Sequence, residues 1–197
     1  MKILFIGDIV GSAGRRAVAA LLPRLRKEDG PFDFVLANGE NAAAGFGLTE
    51  RVFREILDLG VDCMTSGNHV WDKREFLEIL AGEKRILRPA NYPPGCPGQG
   101  VAILERGDRR LAVVNLQGRV FMPMIDCPFR AADAILQEEN MPRCILVDFH
   151  AEATSEKKAL GLYLNGRVSA VIGTHTHVQT ADETILRGGT AYQTDCG

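Results

Sequence analysis

Short apolar runs alternate along the chain with segments whose apolar residues recur at helical spacing. We predict a strand where nearly every position of a run is apolar, because strands covered on both faces have this pattern. The predicted strands are residues 3–6, 34–37, 61–65, 101–104, 111–116, 144–149 and 169–172. This alternation predicts an α/β fold, and the lack of a linker or repeat predicts one domain over residues 1–197.

Two helical segments carry recognisable start and stop residues. The apolar residues between positions 17 and 25 lie on one face, and Pro23 is expected to kink or shorten this helix before Gly30. Thr49 is the predicted N-cap of the next helix, and Gly60 is its predicted stop. Each helix would connect two consecutive strands.

Further helix starts are predicted downstream. Asp72 followed by Glu75 has the spacing of a capping box, so Asp72 is interpreted as a cap rather than as a catalytic acid. Pro128 suits a first helical turn, and Thr154 can begin another helix. The remaining predictions are irregular stretches at 95–100 and 118–128 and a terminal hairpin of 184–186 with 190–194.

Polar residues follow five of the predicted strands at the point where each strand ends. The clusters are Gly7-Asp8, Asn38-Gly39-Glu40-Asn41, Ser66-Gly67-Asn68-His69, Asp148-Phe149-His150 and Gly173-Thr174-His175-Thr176-His177. All four histidines of the chain lie in these clusters. Sites in α/β proteins collect at the carboxyl ends of strands, so these side chains are expected to converge. One histidine after a strand is usually structural, but all four together predict a metal site.

The residue types in these clusters indicate which metals they would hold. Carboxylate, imidazole and amide oxygen suit manganese, iron, zinc, nickel or cobalt better than copper or an iron–sulfur cluster. The six or seven candidate ligands exceed the four of a tetrahedral site, whereas two metals that share a carboxylate accommodate them. Paired metals favour in-line displacement at phosphorus. The pattern therefore predicts a two-metal phosphoesterase.

Several of these clusters resemble the motifs of the calcineurin-like metallophosphoesterases. The specific ones are Gly-Asn-His at 67–69 and Gly-x-His-x-His at 173–177. Two departures, Val10 in place of a histidine and Glu40 in place of an aspartate, make the chain look like the YmdB-like branch. The resemblance implies a four-layer α/β/β/α sandwich. It also implies hydrolysis of 2′,3′-cyclic nucleotides at a di-iron or di-manganese centre, with zinc or nickel as alternatives.

The resemblance further implies a role for each candidate ligand. Glu40 would bridge the two metals, and a hydroxide between the metals would attack phosphorus. Asn41 could stand in for the histidine that Val10 replaces. The implied ligands are Asp8, His177 and Asn41 for the first metal, and Asn68, His150 and His175 for the second.

His69 follows a ligand asparagine, so it is expected to enter the site without coordinating. As an imidazolium it would stabilise the phosphoryl oxygens and protonate the leaving alkoxide. Asp148 is interpreted either as the partner of a histidine or as a structural residue. Segment 121–124 could form a substrate wall or a packing surface. Trp71 and Tyr92 are core residues by default, with nucleobase stacking as the alternative.

Composition narrows the partners and the location. The net charge is −2 with no block of lysine or arginine. The predicted partner is therefore a small phosphodiester or nucleotide, and neither an extended nucleic-acid groove nor a membrane surface is expected. Five cysteines without a Cys-x-x-Cys motif, and no signal-like or bilayer-spanning run, predict a cytoplasmic protein. Assembly into a homo-oligomer stays open.

The same residues are compatible with other functions. A phosphomonoesterase or a nuclease for short RNA would use the same fold, and a non-catalytic regulatory scaffold would be expected to have lost ligands. A serine esterase of the SGNH type fails because Ile9 stands where its nucleophile should be. Relatives in the YmdB-like branch usually continue beyond the position of Gly197, so the chain is expected to lack part of the C-terminal region.

Overall fold

The strands of the protein form two sheets in the computed structural model, which describes residues 1–197. The strands are β1 Ile3–Asp8, β2 Phe34–Asn38, β3 Cys63–Thr65, β4 Val101–Arg106, β5 Arg109–Gln117, β6 Cys144–His150, β7 Ala170–Thr174, β8 Thr184–Ile185 and β9 Ala191–Gln193. The first sheet is parallel, in the order β1-β2-β3, and the second has the order β4-β5-β6-β7-β9-β8. In the second sheet β4 and β8 pair antiparallel at the two edges. The seven predicted strands and the terminal hairpin are confirmed.

Helices connect these strands and begin and end largely where the sequence predicts. The α-helices are α1 Gly11–Glu28, α2 Glu50–Asp58, α3 Leu77–Gly82, α4 Pro128–Leu136 and α5 Thr154–Tyr163, and short 3-10 turns cover Asn68–Trp71 and Arg74–Phe76. The Thr49 hydroxyl accepts a 3.4 Å hydrogen bond from the Val52 N–H, and Gly60 has φ +96° after α2. Both predicted boundaries of α2 are therefore confirmed. None of the helices combines the length and the hydropathy needed to cross a bilayer.

Pro23 does not shorten α1, although the sequence allowed for that or for a kink. The helix continues for more than a turn beyond Pro23 to Glu28. Pro23 lies on the exposed face, where water can bond the carbonyl group that the proline leaves without a partner. Val18 and Leu22 on the opposite face are buried in the core, and burial of an aliphatic side chain contributes roughly 1.5–3 kcal/mol. This packing offsets the cost of the proline.

Three separate apolar layers show how the elements stack. One core cluster lies between α1, α2 and the first sheet, a second between the two sheets, and a third between the second sheet and α4 and α5. Strand β2 shows the alternation directly, since Val35 faces the helices while Phe34 and Leu36 face the other sheet. The order of layers is helix, sheet, sheet, helix, as the resemblance implied.

Candidate metal centre

The predicted clusters meet at the carboxyl ends of strands from both sheets. Asp8 ends β1, the residues after β2 and β3 supply two more clusters, and those of β6 and β7 supply the rest. The clusters therefore converge across the gap between two sheets rather than along one edge of a single sheet. The packing of the sheets brings residues more than 100 positions apart into hydrogen-bond distance, as Asn38 and Asp148 show at 3.1 Å.

Glu40, His150 and His175 form the tightest group at this convergence. One ligand atom from each lies within 4.8 Å of the others. Glu40 Oε1 is 2.9 Å from His150 Nε2, and His175 Nδ1 is 3.0 Å from the same His150 atom. Glu40 and His150 are fully buried. A carboxylate and two imidazole nitrogens at these separations form a suitable set of donors for a transition metal.

A second group, formed by Asp8, Asn41 and His177, lies beside the first. The Asn41 side-chain amide donates to Asp8 Oδ1 at 3.2 Å and to Glu40 Oε1 at 3.1 Å, and it lies 3.1 Å from His177 Nε2. His177 Nε2 is itself 3.9 Å from Asp8 Oδ2. The two groups are thus adjacent, and Glu40 contacts residues of both.

Two buried amide oxygens give an independent test of whether cations fit here. The side-chain oxygens of Asn41 and Asn68 are buried and have no hydrogen-bond partner. A buried acceptor without a partner is costly, and amide oxygen is a good ligand for a hard or borderline cation. Asn68 precedes His69, whose backbone N–H donates to Glu40 Oε2 at 3.0 Å, so the backbone at this point lies beside Glu40. The donor set therefore fits bound metal ions.

Electrostatics couple the groups of the site strongly. Burial acts to raise the pKa of Glu40, but attraction and hydrogen bonding to His150 outweigh it and lower the pKa to about 2. Burial acts to lower the pKa of His150, but Glu40 and Asp8 raise it to about 9. Burial and repulsion from His150 lower the pKa of His175 to about 4. Positive charge is thus favoured at His150, between the carboxylates, where a cation would compete with a proton.

Asp148 has the orienting role that the sequence left open. It is fully buried and accepts hydrogen bonds from Asn38, Thr65 and the Thr174 hydroxyl, the last at 2.7 Å. The same Thr174 hydroxyl lies 2.9 Å from His150 Nδ1. Burial raises the pKa of Asp148 to about 6 although His150 and both hydroxyls oppose it. Asp148 therefore fixes the ring of His150 through Thr174.

Asp72 is not a helix cap, so the capping-box prediction is wrong. Its Oδ2 lies 2.8 Å from His69 Nδ1, and Lys73 occupies the N-cap position of the following 3-10 turn. The reason is local, since residues three apart stack on one side of a 3-10 helix. The Phe46 ring packs edge-on against the imidazole of His69 at 4.9 Å between centroids. His69 is therefore held from two sides, and its Nε2 is the ring nitrogen left for the site.

The turn that carries His175 and His177 is held by a buried ion pair that sequence reasoning missed. His175 and His177 have φ of +108° and +57°, which non-glycine residues rarely adopt. Thr176 between them donates its hydroxyl to Asp195 Oδ2 at 2.7 Å, and Lys157 Nζ donates to the same oxygen. A lysine on an amphipathic helix is normally expected at the surface, so only its burial in the structure reveals this role.

The remaining residues singled out in the sequence are segment 121–124, Trp71 and Tyr92. Phe121 and Met124 are 89% and 85% exposed, whereas Met122 between them packs against the core cluster next to α4 and α5. Trp71 and Tyr92 contact each other edge-on at 5.0 Å between centroids. The Tyr92 hydroxyl also donates to Gln117 Oε1 at 3.2 Å. Trp71 and Tyr92 therefore pack together in the structure.

Comparison with known proteins identifies the family. A model of the family described as "YmdB-like protein" matches residues 4–197. The chain belongs to this family. It is 52% identical to the 2′,3′-cyclic-nucleotide 2′-phosphodiesterase of Bacillus subtilis strain 168, over all of this chain and 75% of that protein.

Solved structures of similar proteins confirm the fold. A protein from Thermus thermophilus matches all of this chain and 76% of its own with a TM-score of 0.94 at 51% identity. A phosphatase from Mycoplasma pneumoniae matches all of this chain and 72% of its own with a TM-score of 0.93 at 33% identity. A Staphylococcus aureus protein described as a 5′-nucleotidase shares the fold alone, at 16% identity and a TM-score of 0.65. The predicted family and enzyme class, a phosphoesterase, are confirmed.

Proposed function

We propose that the protein is a dinuclear-metal phosphodiesterase that hydrolyses small phosphodiesters, with 2′,3′-cyclic nucleotides as the substrate class. The observation that carries the proposal is the convergence of two carboxylates, three imidazoles and two unpartnered amide oxygens at one place. The phosphodiesterase from Bacillus subtilis supports the substrate class, because the whole of this chain matches it. A non-catalytic scaffold is disfavoured because the full set of donors is present.

The division of the ligands follows from their contacts. We assign Asp8, His177 and Asn41 to the first metal, because these side chains lie side by side. The amide nitrogen of Asn41 makes these contacts, so its unpartnered oxygen would face the metal once the amide group is rotated by 180°. Glu40 contacts both Asn41 and His150, so its position between the two groups supports a bridging role. We assign His150, His175 and Asn68 to the second metal.

Bound metals would supply positive charge that activates a water molecule and neutralises the phosphoryl oxygens. The chain's own contribution to proton transfer is His69. Its Nδ1 lies 2.8 Å from Asp72 Oδ2, which keeps a proton on Nδ1 and fixes the orientation of the ring. From Nε2 the imidazolium would protonate the ribose oxygen that leaves when the cyclic ester opens. Asp72 and Phe46 hold the His69 ring between them, so Nε2 would stay directed toward the leaving oxygen and His69 would not coordinate a metal.

The identity of the metals and the cellular location are part of the proposal. Iron or manganese is proposed, with zinc or nickel as alternatives, since carboxylate, imidazole and amide donors accept all four. A reducing cytoplasm is proposed because all five cysteines are free thiols. The single domain and the homo-oligomer stay predictions.

Metal analysis and a substrate panel test the proposal together. Protein purified without chelators should contain about two transition-metal ions per chain, as expected for a two-metal site. It should hydrolyse 2′,3′-cyclic nucleotides in preference to aryl phosphodiesters and phosphomonoesters. Glu40→Gln should lose both turnover and metal, because the bridging charge is removed. A metal-free wild type under metal-replete conditions, or a preference for phosphomonoesters, would overturn the proposal.

His69→Ala separates the acid from the ligands. This variant should keep the metal content of the wild type while kcat falls by roughly 10²–10⁴-fold, the usual contribution of a positioned general acid. Loss of metal from His69→Ala would instead make His69 a ligand. That result would contradict the assigned role.

A further inference from the structure

A small cavity lies on the far side of the loop that follows β2. All of the charged residues that line it are positively charged. Its volume is about 300 Å³, the space of roughly ten water molecules at about 30 Å³ each. The lining residues that can donate hydrogen bonds from their side chains are Ser12, Arg15, Thr49, Arg51 and Lys73. No carboxylate lines this cavity, although the protein as a whole has a net charge of −2.

Two of the three cations have no partner within the protein. Arg15 pairs with Glu55 at 2.9 Å and donates to the Ala42 carbonyl at 2.7 Å, so it is structural as well as charged. Arg51 and Lys73 form no ion pair and no side-chain hydrogen bond, whereas Arg54 on the same helix pairs with Glu50. The cavity therefore presents unpaired positive charge and donors to a ligand.

The loop between Asn41 and Gly47 separates this cavity from the candidate metal centre. Arg15 holds the loop from the cavity side through the Ala42 carbonyl. On the other side, Asn41 reaches the donors of the site and the Phe46 ring packs on His69. The cavity residue Lys73 also follows Asp72, the partner of His69, directly in the chain.

We propose that this cavity is an accessory phosphate-binding subsite beside the reaction centre. A phosphate group accepts charge-assisted hydrogen bonds from arginine, lysine and hydroxyl donors, which are the groups that line the cavity. The phosphate can come from two sources. One is a second phosphate of the substrate, as in a dinucleotide that ends in a 2′,3′-cyclic phosphate, and this source rests on the proposed function. The other source is free phosphate, which would bind next to the loop between Asn41 and Gly47.

Phosphate binding to the metal-depleted protein tests the subsite without any need for turnover. Inorganic phosphate, titrated calorimetrically at low ionic strength, should bind the wild type, and binding should weaken with added salt. The double variant Arg51→Gln, Lys73→Gln should bind phosphate about tenfold more weakly or worse, because it lacks two charged donors. A tenfold loss of affinity corresponds to roughly 1.4 kcal/mol. Lys27→Gln combined with Arg143→Gln removes the same charge elsewhere and should bind like the wild type. Absence of binding to the wild type, or equal binding by both double variants, overturns the subsite.

Kinetics of the metal-loaded enzyme then distinguish the two sources. If the substrate supplies the phosphate, the double variant should raise the KM ratio of the cyclic-ended dinucleotide to the mononucleotide by about fivefold or more, in keeping with the loss of one or two charge-assisted bonds. If the ratio stays constant while phosphate affinity is lost, the subsite serves free phosphate. Failure to hydrolyse any cyclic nucleotide refutes the proposed function but leaves the calorimetric result standing.

Discussion

Replacing Gly67 with alanine adds only a methyl group, yet this change should disrupt the candidate metal centre. The φ of Gly67, −154°, lies outside the left-handed region that favours glycine. A Cβ atom added there would lie 2.1 Å from His150 Cδ2, 2.2 Å from His150 Nε2 and 2.6 Å from Glu40 Oε2. All three distances are far below an ordinary contact of 3.4 Å. The close approach of two candidate ligands therefore requires glycine at this position.

The expected effect of Gly67→Ala follows from these distances. His150 must move by more than about 1 Å and Glu40 by somewhat less to admit the methyl group, and a misplacement of about 1 Å can lower activity by about 10²-fold. Because both groups are buried and bonded to neighbours, the shift is also expected to destabilise the protein by about 1–3 kcal/mol, as overpacking does. We therefore expect Gly67→Ala to lose kcat/KM by about 10²-fold or more and to lose metal affinity.

Gly82→Ala is the matched control for this experiment. Nothing lies within 4 Å of a Cβ atom built on Gly82, and this residue ends α3 away from the site. The control should retain activity, with a stability change of about 1 kcal/mol or less. Hydrolysis of a cyclic nucleotide, metal content and urea denaturation would be measured for both variants. A Gly67→Ala protein that keeps its metal and has kcat/KM close to that of the wild type would refute the reasoning.

Two further predictions concern residues that support the site. Asp72→Asn should lower kcat by about tenfold or more, because the imidazolium of His69 loses its carboxylate, while metal content is unchanged; an unaltered kcat would contradict this. Lys157→Met should lower the free energy of unfolding by about 3–5 kcal/mol, because it leaves the buried Asp195 without its partner. Lys158→Met, at the exposed neighbouring position, should change it by less than about 0.5 kcal/mol in the same urea titration.

The strands and most helix boundaries were predictable because each leaves a local signal. Strand β2 is apolar at four consecutive positions and is buried on both faces, so its pattern could arise in few other ways. Thr49 and Gly60 mark a helix by side-chain and backbone chemistry that acts over four residues or fewer. The division into two sheets has no such signal, because strand order depends on contacts between distant segments. It followed from the resemblance and not from periodicity.

The convergence of the candidate ligands was also predictable, because each lies at or shortly after the carboxyl end of a strand. The residues that support them were not predictable. Asp72 is an example of a supporting residue that the sequence does not identify. The spacing Asp-x-x-Glu is compatible with a capping box, and it is equally compatible with a 3-10 turn in which Asp72 contacts His69. Choosing between these alternatives requires the path of the backbone after β3. The Lys157–Asp195 pair spans 38 positions and leaves no local pattern at all.

Backbone strain in the turn after β7 explains why residues far away in the sequence are needed to hold that turn in place. His175 and His177 both have positive φ, and each such non-glycine residue costs of order 1–3 kcal/mol unless its surroundings impose the conformation. The contacts that impose it come from Asp195, which accepts from the Thr176 hydroxyl, and from Asp8, which accepts from the His175 N–H at 2.9 Å. Asp8 thus acts as a candidate ligand and also fixes the backbone of another. The position of the two histidines therefore depends on the strand order of the whole domain, which local sequence patterns do not encode.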